Sequence, residues 1–281
     1  MSDRPVDAHH HLLDPARRHY EWLDHEDRAP IRRRYDMTDL RVHTDATGVT
    51  RTVLVQTVHD VDETEEFLAV ADANRDLLAG VVGWVDLTDP ALLDTVARLR
   101  AGAGGDLLVG FRHQAQAEPD PEWLARPDVV AGARAVGDAG LAYDVLVRSH
   151  QLPAAIDLVR QAPDCRFVLD HMGNAPMDAG ELEPWAGLIR ELAGLPNVAC
   201  KLSGLVGEGW SVAGIQPYAD VVLTAFGTDR VMFGSDWPVC ELAASYEDVL
   251  GLARELCAGL TERERADVFS GTATAWYRLP T

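Results

Sequence analysis

Short apolar, β-branched runs recur along the chain and alternate with stretches in which apolar residues return every three to four positions. The first pattern reads as buried strands and the second as helices with one apolar face. Strands are predicted to begin near Val6, Arg51, Leu78, Leu107, Ala142, Cys165, Val198 and Arg230. Helices are predicted over 128–139, 152–162, 183–193, 216–226 and 246–258, with Gly140, Gly194 and Gly227 as terminators. Earlier in the chain, Asp62 and Glu65 have the spacing of a capping box. Asp89 followed by Pro90 has the form of a helix start, with Leu92, Leu93, Val96 and Leu99 on one face behind it. A last helix is expected after Thr261, where Glu264 stands three positions on. The segment 12–35, with His19, Tyr20, Trp22 and His25, has no helical period. Its length suggests a loop framing a pocket, with Arg32, Arg33 and Arg34 as a charged surface run.

Eight strands alternating with helices predict one closed parallel (β/α)₈ TIM barrel spanning 1–281, rather than an open doubly wound sheet. The length of 281 residues suits one such barrel, and no GxGxxG phosphate fingerprint favours the open sheet. Hydrophobic residues at 47% and charged residues at 25% exclude a disordered or fibrous chain. A formal net charge of −20 disfavours nucleic acid and anionic membrane surfaces as partners. No apolar run is long enough to span a bilayer, the N-terminus carries no basic and apolar leader, and a cytoplasmic location is expected. Cys165, Cys200, Cys240 and Cys257 are widely scattered and are expected as buried free thiols.

In such a barrel, chemistry gathers where strands end at the C-terminal rim. The polar residues there are His9 to His11, Arg112 with His113, Asp170 with His171, Lys201 with Ser203, and Asp236. His9 and His11 lie two apart on an extended segment, so their rings share one side while His10 points away. Taken singly, His171 after RFVLD reads as a satisfied structural histidine, and Asp236 before Pro238 as a turn residue. Together, His9, His11, His171 and Asp236 offer three imidazoles and a carboxylate at one rim, a donor set for a metal ion.

The motifs DAHHH, GFRH, FVLDHMGNAP, NVACKLSGL and RVMFGSDWP, in that order along the chain, resemble those of the amidohydrolase superfamily. The resemblance is closest to its amidohydrolase-2 branch, which includes sugar lactonases of the L-fuconolactonase type and 2-pyrone-4,6-dicarboxylate lactonases. It implies a barrel hydrolase with one divalent metal, zinc first and manganese also compatible, held by His9, His11, His171 and Asp236. Members of the branch differ in whether turnover needs the metal. Strand four lacks the lysine that bridges two metals after carboxylation, which disfavours a binuclear centre. Two positions depart from the pattern: His10 where relatives often carry Gln, and Thr272 where Asn is frequent.

The expected reaction is opening of the cyclic ester of a small sugar lactone. Asp236 is expected as general base, with His171 beside it in the catalytic centre. Arg112, His113 and Lys201 are expected to orient substrate or stabilise the oxyanion, the alternative for Arg112 and Lys201 being internal ion pairs with Asp144 or Asp170. Trp22 and Trp237 are expected as pocket walls, Trp84 equally as core, and Glu208 and Trp210 as tuning selectivity from the loop after strand seven. Cations at the strand ends are too few for a dicarboxylate, which favours a neutral lactone over a pyrone dicarboxylate. Non-oxidative decarboxylation and a non-catalytic binding barrel are the rival readings. The partner is a small molecule, and no motif sets an oligomeric state.

Overall fold

The computed structural model describes residues 4–280. Eight strands form one parallel sheet in chain order: β1 (Val6–His10), β2 (Arg51–Val55), β3 (Leu78–Gly83), β4 (Leu108–His113), β5 (Ala142–Val145), β6 (Arg166–Leu169), β7 (Val198–Leu202) and β8 (Val231–Phe233). Just past β8 the chain closes the ring on β1: Asp236 N–H donates to the His9 carbonyl at 2.8 Å, and His11 N–H to the Trp237 carbonyl at 2.7 Å. The predicted (β/α)₈ barrel is therefore the fold, and all eight strands begin where the apolar runs do or one residue later.

Ten α-helices cover or follow the barrel: α1 (Met37–Thr47), α2 (Val61–Ala73), α3 (Leu92–Ala101), α4 (Pro127–Asp138), α5 (Leu152–Gln161), α6 (Trp185–Ala193), α7 (Val212–Phe226), α8 (Tyr246–Leu256), α9 (Glu262–Ala266) and α10 (Thr272–Trp276). The capping box of Thr261 and Glu264 starts α9 as expected. Two other starts differ. Asp60, not Asp62, caps α2, because its extended backbone lets its carboxylate accept from the Asp62 N–H. Asp89 makes a turn by accepting from Ala91 N–H, and α3 begins at Leu92 without a side-chain cap. Helix α7 starts earlier than its pattern suggests, since Ser211 caps it and Pro217 falls inside the first two turns. Helix α1 was absent from the predicted set, although Asp36 and Asp39 form a complete capping box before it.

The segment 12–35 carries only short 3₁₀ turns and is pinned at both ends. Leu13 and Tyr35 exchange backbone hydrogen bonds, Tyr20, Leu23 and Ile31 are buried, and Arg17 and Arg18 pair with Glu66 on α2. All four cysteines are buried free thiols. No helix among the described residues is long and apolar enough to cross a membrane.

Side chains alternate across each strand, and the alternation sorts the sheet into an outer face under the helices and an inner face around the axis. Phe111, Tyr143, Phe167, Cys200 and Phe233 belong to the outer core. Val6, Ala8, Val53, Val55, Val109, Ala142, Val168, Ala199 and Met232 pack inside, where Ala273, Tyr277 and Leu279 from the C-terminal segment close the bottom. Burial of this apolar floor contributes about 25 cal/mol per Å² removed from water. Above the floor the inward positions become polar.

Candidate active site

Strand β1 delivers two histidines to the axis because its register with β2 is irregular between Asp7 and His10. Ala8 packs on the floor and His9 also faces the interior, while His10 turns outward, its Nε2 lying 2.9 Å from Thr52 Oγ1. Asp7 fastens this strand to the last one: its carboxylate accepts from Ser235 N–H at 2.9 Å, Ser235 Oγ at 2.6 Å and Tyr246 Oη at 3.0 Å. His9 lies one strand away from Gly234, where a Cβ would come within 2.6 Å of the His9 Cβ. Only glycine permits that approach.

His171 and Asp236 both sit beyond their strands in left-handed backbone, with φ of 52° and 58°. Such conformations cost about 1–3 kcal/mol in a non-glycine residue and persist where surrounding structure enforces them. For Asp236, enforcement comes from Asp236 N–H to His9 carbonyl at 2.8 Å and Trp237 N–H to Ser235 Oγ at 3.0 Å. For His171 it comes from Ser203 Oγ, 2.9 Å from Nδ1, and from Gly204, where a Cβ would lie 2.8 Å from the imidazole Cγ.

The four side chains meet. Asp236 Oδ1 lies 3.6 Å from His9 Nε2, 3.5 Å from His11 Nε2 and 3.8 Å from His171 Nε2, and the two Nε2 atoms of His9 and His11 are 3.3 Å apart. His9, His171 and Asp236 each offer a ligand atom within 4.8 Å of the others, so these three can hold one metal ion. His11 Nδ1 donates to the Val55 carbonyl at 2.8 Å, which leaves its Nε2 lone pair directed at the same point. Imidazole nitrogens with a carboxylate oxygen are the donors a divalent transition metal takes, and the set fits such an ion. Arg112 Nη1, 3.2 Å from His9 Nε2, competes for one of these lone pairs.

Burial and the neighbouring Lys201 charge keep the His9 pKa well below its ordinary value, and burial likewise lowers that of His171. Burial works to raise Asp236, but His171, His11 and Arg112 outweigh it and hold the carboxyl below the usual range. Protonation of His9 and His171 is thus disfavoured, and Asp236 stands beside them as a carboxylate.

One layer deeper, Arg112 and Lys201 are spent on internal pairs. Lys201 Nζ contacts Asp144 Oδ2 at 2.5 Å and Asp170 Oδ1 at 2.9 Å, and its side chain is 0% exposed. Arg112 Nη1 donates to Asp170 Oδ2 at 2.9 Å, while Nε and Nη2 donate to the Gln56 side chain and carbonyl. The expectation that these two cations face the substrate is corrected: both lie beneath the four-residue centre, held by carboxylates that point to the axis from β5 and from just past β6. Gln56 had no role in the sequence reading, and a strand-end glutamine gives no signal by itself.

Trp237 is likewise no pocket wall. It is fully buried, edge-on to Tyr35 at 5.3 Å between ring centres, with Nε1 donating to Glu241 at 2.8 Å. His113 follows Phe111 on the outer side of β4, stacked between His59 at 3.9 Å and Trp123 at 4.1 Å. Its Nδ1 accepts from Trp84 Nε1 at 3.2 Å, so Nε2 carries the proton and donates to Glu118 at 2.7 Å. Trp22 is partly buried, its Nε1 donating to the Thr57 carbonyl just past β2. Glu208 is exposed, and Trp210 is partly buried with Nε1 bonded to the Ala243 carbonyl.

This arrangement has close relatives. The chain is 35% identical to an L-fucono-1,5-lactonase of Burkholderia ambifaria, over 98% of this chain and 95% of the relative. It superposes with a TM-score of 0.90 on the crystal structure of an amidohydrolase from Burkholderia multivorans with bound zinc, at 35% identity over 98% of this chain and 99% of that one. A probable 2-pyrone-4,6-dicarboxylic acid hydrolase from Acinetobacter baumannii shares the fold, with a TM-score of 0.80 at 18% identity over 98% of this chain and 99% of the other. The amidohydrolase family model matches residues 6–279, and the chain belongs to that family.

Proposed function

We propose that this protein is a lactonase that hydrolyses the cyclic ester of a small, uncharged sugar lactone of the L-fucono-1,5-lactone kind, as a cytoplasmic enzyme of sugar catabolism. The observation that carries the reading is the convergence of His9, His11 and His171 Nε2 on Asp236 Oδ1, at 3.5 to 3.8 Å. The likeness to an L-fucono-1,5-lactonase over nearly the whole chain supports the substrate class.

His9, His11, His171 and Asp236 would hold a divalent ion, zinc by preference of the imidazole donors, and that ion would supply positive charge at the ester carbonyl. Asp236, ionised in this setting, accepts a proton as water adds to the carbonyl carbon. It returns that proton to the ring oxygen when the carbon–oxygen bond breaks, and the product is an open-chain hydroxy acid. His171 holds Asp236 from the other side and keeps it charged. Trp22 supplies an apolar face near the end of β2. His113, Arg112 and Lys201 support the rim from behind.

The charge arrangement supports a neutral substrate. Arg112 and Lys201 are neutralised by Asp170 and Asp144, leaving neither free to pair with a second carboxylate as a pyrone dicarboxylate requires. The test is acid release, followed with a pH indicator, from sugar 1,4- and 1,5-lactones and from a pyrone dicarboxylate, before and after chelation. Hydrolysis above the spontaneous rate from a sugar lactone is expected. Loss of rate on chelation makes the metal part of turnover. Silence on every lactone together with CO₂ release from an aromatic acid would overturn the reading in favour of a decarboxylase.

A further inference from the structure

The C-terminal segment does more than close the barrel floor. Tyr277, just past α10, packs among the inward residues of the strands and is 2% exposed. Its phenol donates to Asp144 Oδ2 at 2.7 Å. The same oxygen holds Lys201 Nζ at 2.5 Å, and Lys201 Nζ lies 3.1 Å from His9 Nδ1. A continuous buried chain of polar contacts thus runs up the barrel axis from the last turn of the protein to a histidine of the catalytic centre. Tyr277 has no part in the lactonase chemistry proposed above.

We propose that Tyr277 is a positioning residue of the active site, setting the orientation of the His9 imidazole through Asp144 and Lys201. The reason lies in how Lys201 is shared. Its ammonium donates to Asp144 Oδ2, pairs with Asp170 Oδ1 at 2.9 Å and lies beside His9 Nδ1, which itself faces Asp170 Oδ1 at 3.4 Å. Asp144 Oδ1 has no hydrogen-bond partner, so Asp144 is satisfied through Oδ2 alone, by Tyr277 and Lys201 together. Burial keeps the phenol well above its ordinary pKa, so it remains a donor. Without that donor, Asp144 depends on Lys201 only and draws the ammonium toward itself. The Lys201–Asp170 pair that faces His9 Nδ1 then shifts, and the ring is free to tilt away from Asp236.

Tyr277→Phe tests this, because it keeps the ring, the packing and the Lys201 cation over the ring at 5.5 Å while removing only the hydroxyl. The control is Trp276→Phe, which removes the hydrogen bond from Trp276 Nε1 to the Phe167 carbonyl in the same segment. On a sugar lactone, Tyr277→Phe is expected to lower kcat about tenfold with KM unchanged, while Trp276→Phe leaves kcat alone. The second readout is the ring ¹⁵N signal of His9 in histidine-labelled protein, assigned with a His9→Gln variant. It is expected to move in Tyr277→Phe and to stay in Trp276→Phe.

The kinetic arm rests on the lactonase reading, and the His9 signal does not. Failure of the substrate assignment therefore leaves the second arm standing. An unmoved His9 signal with wild-type kcat in Tyr277→Phe, even at lowered Tm, would reduce Tyr277 to a packing residue. Equal losses in both variants would mean a loosened floor and would equally overturn the proposal.

Discussion

The barrel interior holds two polar layers built from similar residue types, and they behave differently. In the upper layer, His9, His11, His171 and Asp236 are each held from behind, by Lys201, the Val55 carbonyl, Ser203 and the β1 backbone, and their remaining donor atoms point at one another. In the lower layer, Arg112, Lys201, Asp144 and Asp170 point at one another too, but as cation against anion, so that their charges offset. Imidazoles beside one carboxylate leave lone pairs for a metal, water or substrate. Two cations beside two carboxylates neutralise themselves. On the proposed lactonase reading, chemistry belongs to the upper layer and alignment to the lower.

The difference is broken most severely by removing an upper-layer donor. His171→Asn is expected to cost about a hundredfold or more in kcat and to weaken zinc binding measured by calorimetry, with the far-ultraviolet circular dichroism unchanged. Wild-type zinc affinity in that variant would remove His171 from the metal set. The lower layer should respond in stability instead. Lys201→Met leaves Asp144 and Asp170 buried without their shared cation, and chemical denaturation is expected to show a loss of about 3–5 kcal/mol. A variant as stable as wild type would mean that Arg112 alone neutralises both carboxylates.

A smaller change sharpens the boundary between layers. Gly204, with φ of +60°, leaves empty the place where a Cβ would lie 2.8 Å from the His171 Cγ. Gly204→Ala is expected to lower kcat by about tenfold and stability by about 1–3 kcal/mol, through backbone strain and displacement of His171. An alanine variant with wild-type kcat and a crystal structure showing His171 unmoved would contradict the close fit.

The smallest effect lies outside both layers. Burial, with His113 and Arg112, lowers His59 from 6.5 to about 4. Between those values the unfolded chain binds the proton more readily than the folded one, so stability rises with pH from about 4 to 6.5 and is lost as pH falls through that window. His59→Gln should flatten part of that slope in Tm measured against pH. An unchanged slope would place the titration elsewhere.

Much of this was legible in the sequence, and the reasons differ by region. Strand starts followed from apolar runs because inward and outward faces are both buried in a parallel barrel. The four upper-layer residues were legible because imidazoles and a carboxylate at the ends of three different strands have few other uses together. What alternation could not reveal was depth. Arg112 and Lys201 end their strands as His171 and Asp236 do, yet they turn toward Asp144 and Asp170, whose inward placement shows only once register is known. The bulge that turns His9 inward, the burial of Trp237 against Tyr35, and the arrival of Tyr277 under Asp144 all depend on contacts between residues far apart in the chain.

The division into layers is tested most directly by the initial rate of L-fucono-1,5-lactone hydrolysis, measured side by side for the wild-type protein and Asp236→Asn. Acid release well above the spontaneous rate is predicted for the wild type, with a loss of about 10²–10⁴ in kcat for the asparagine variant at unchanged fold. Equal rates for the two proteins would contradict the assignment of the upper layer as the catalytic one.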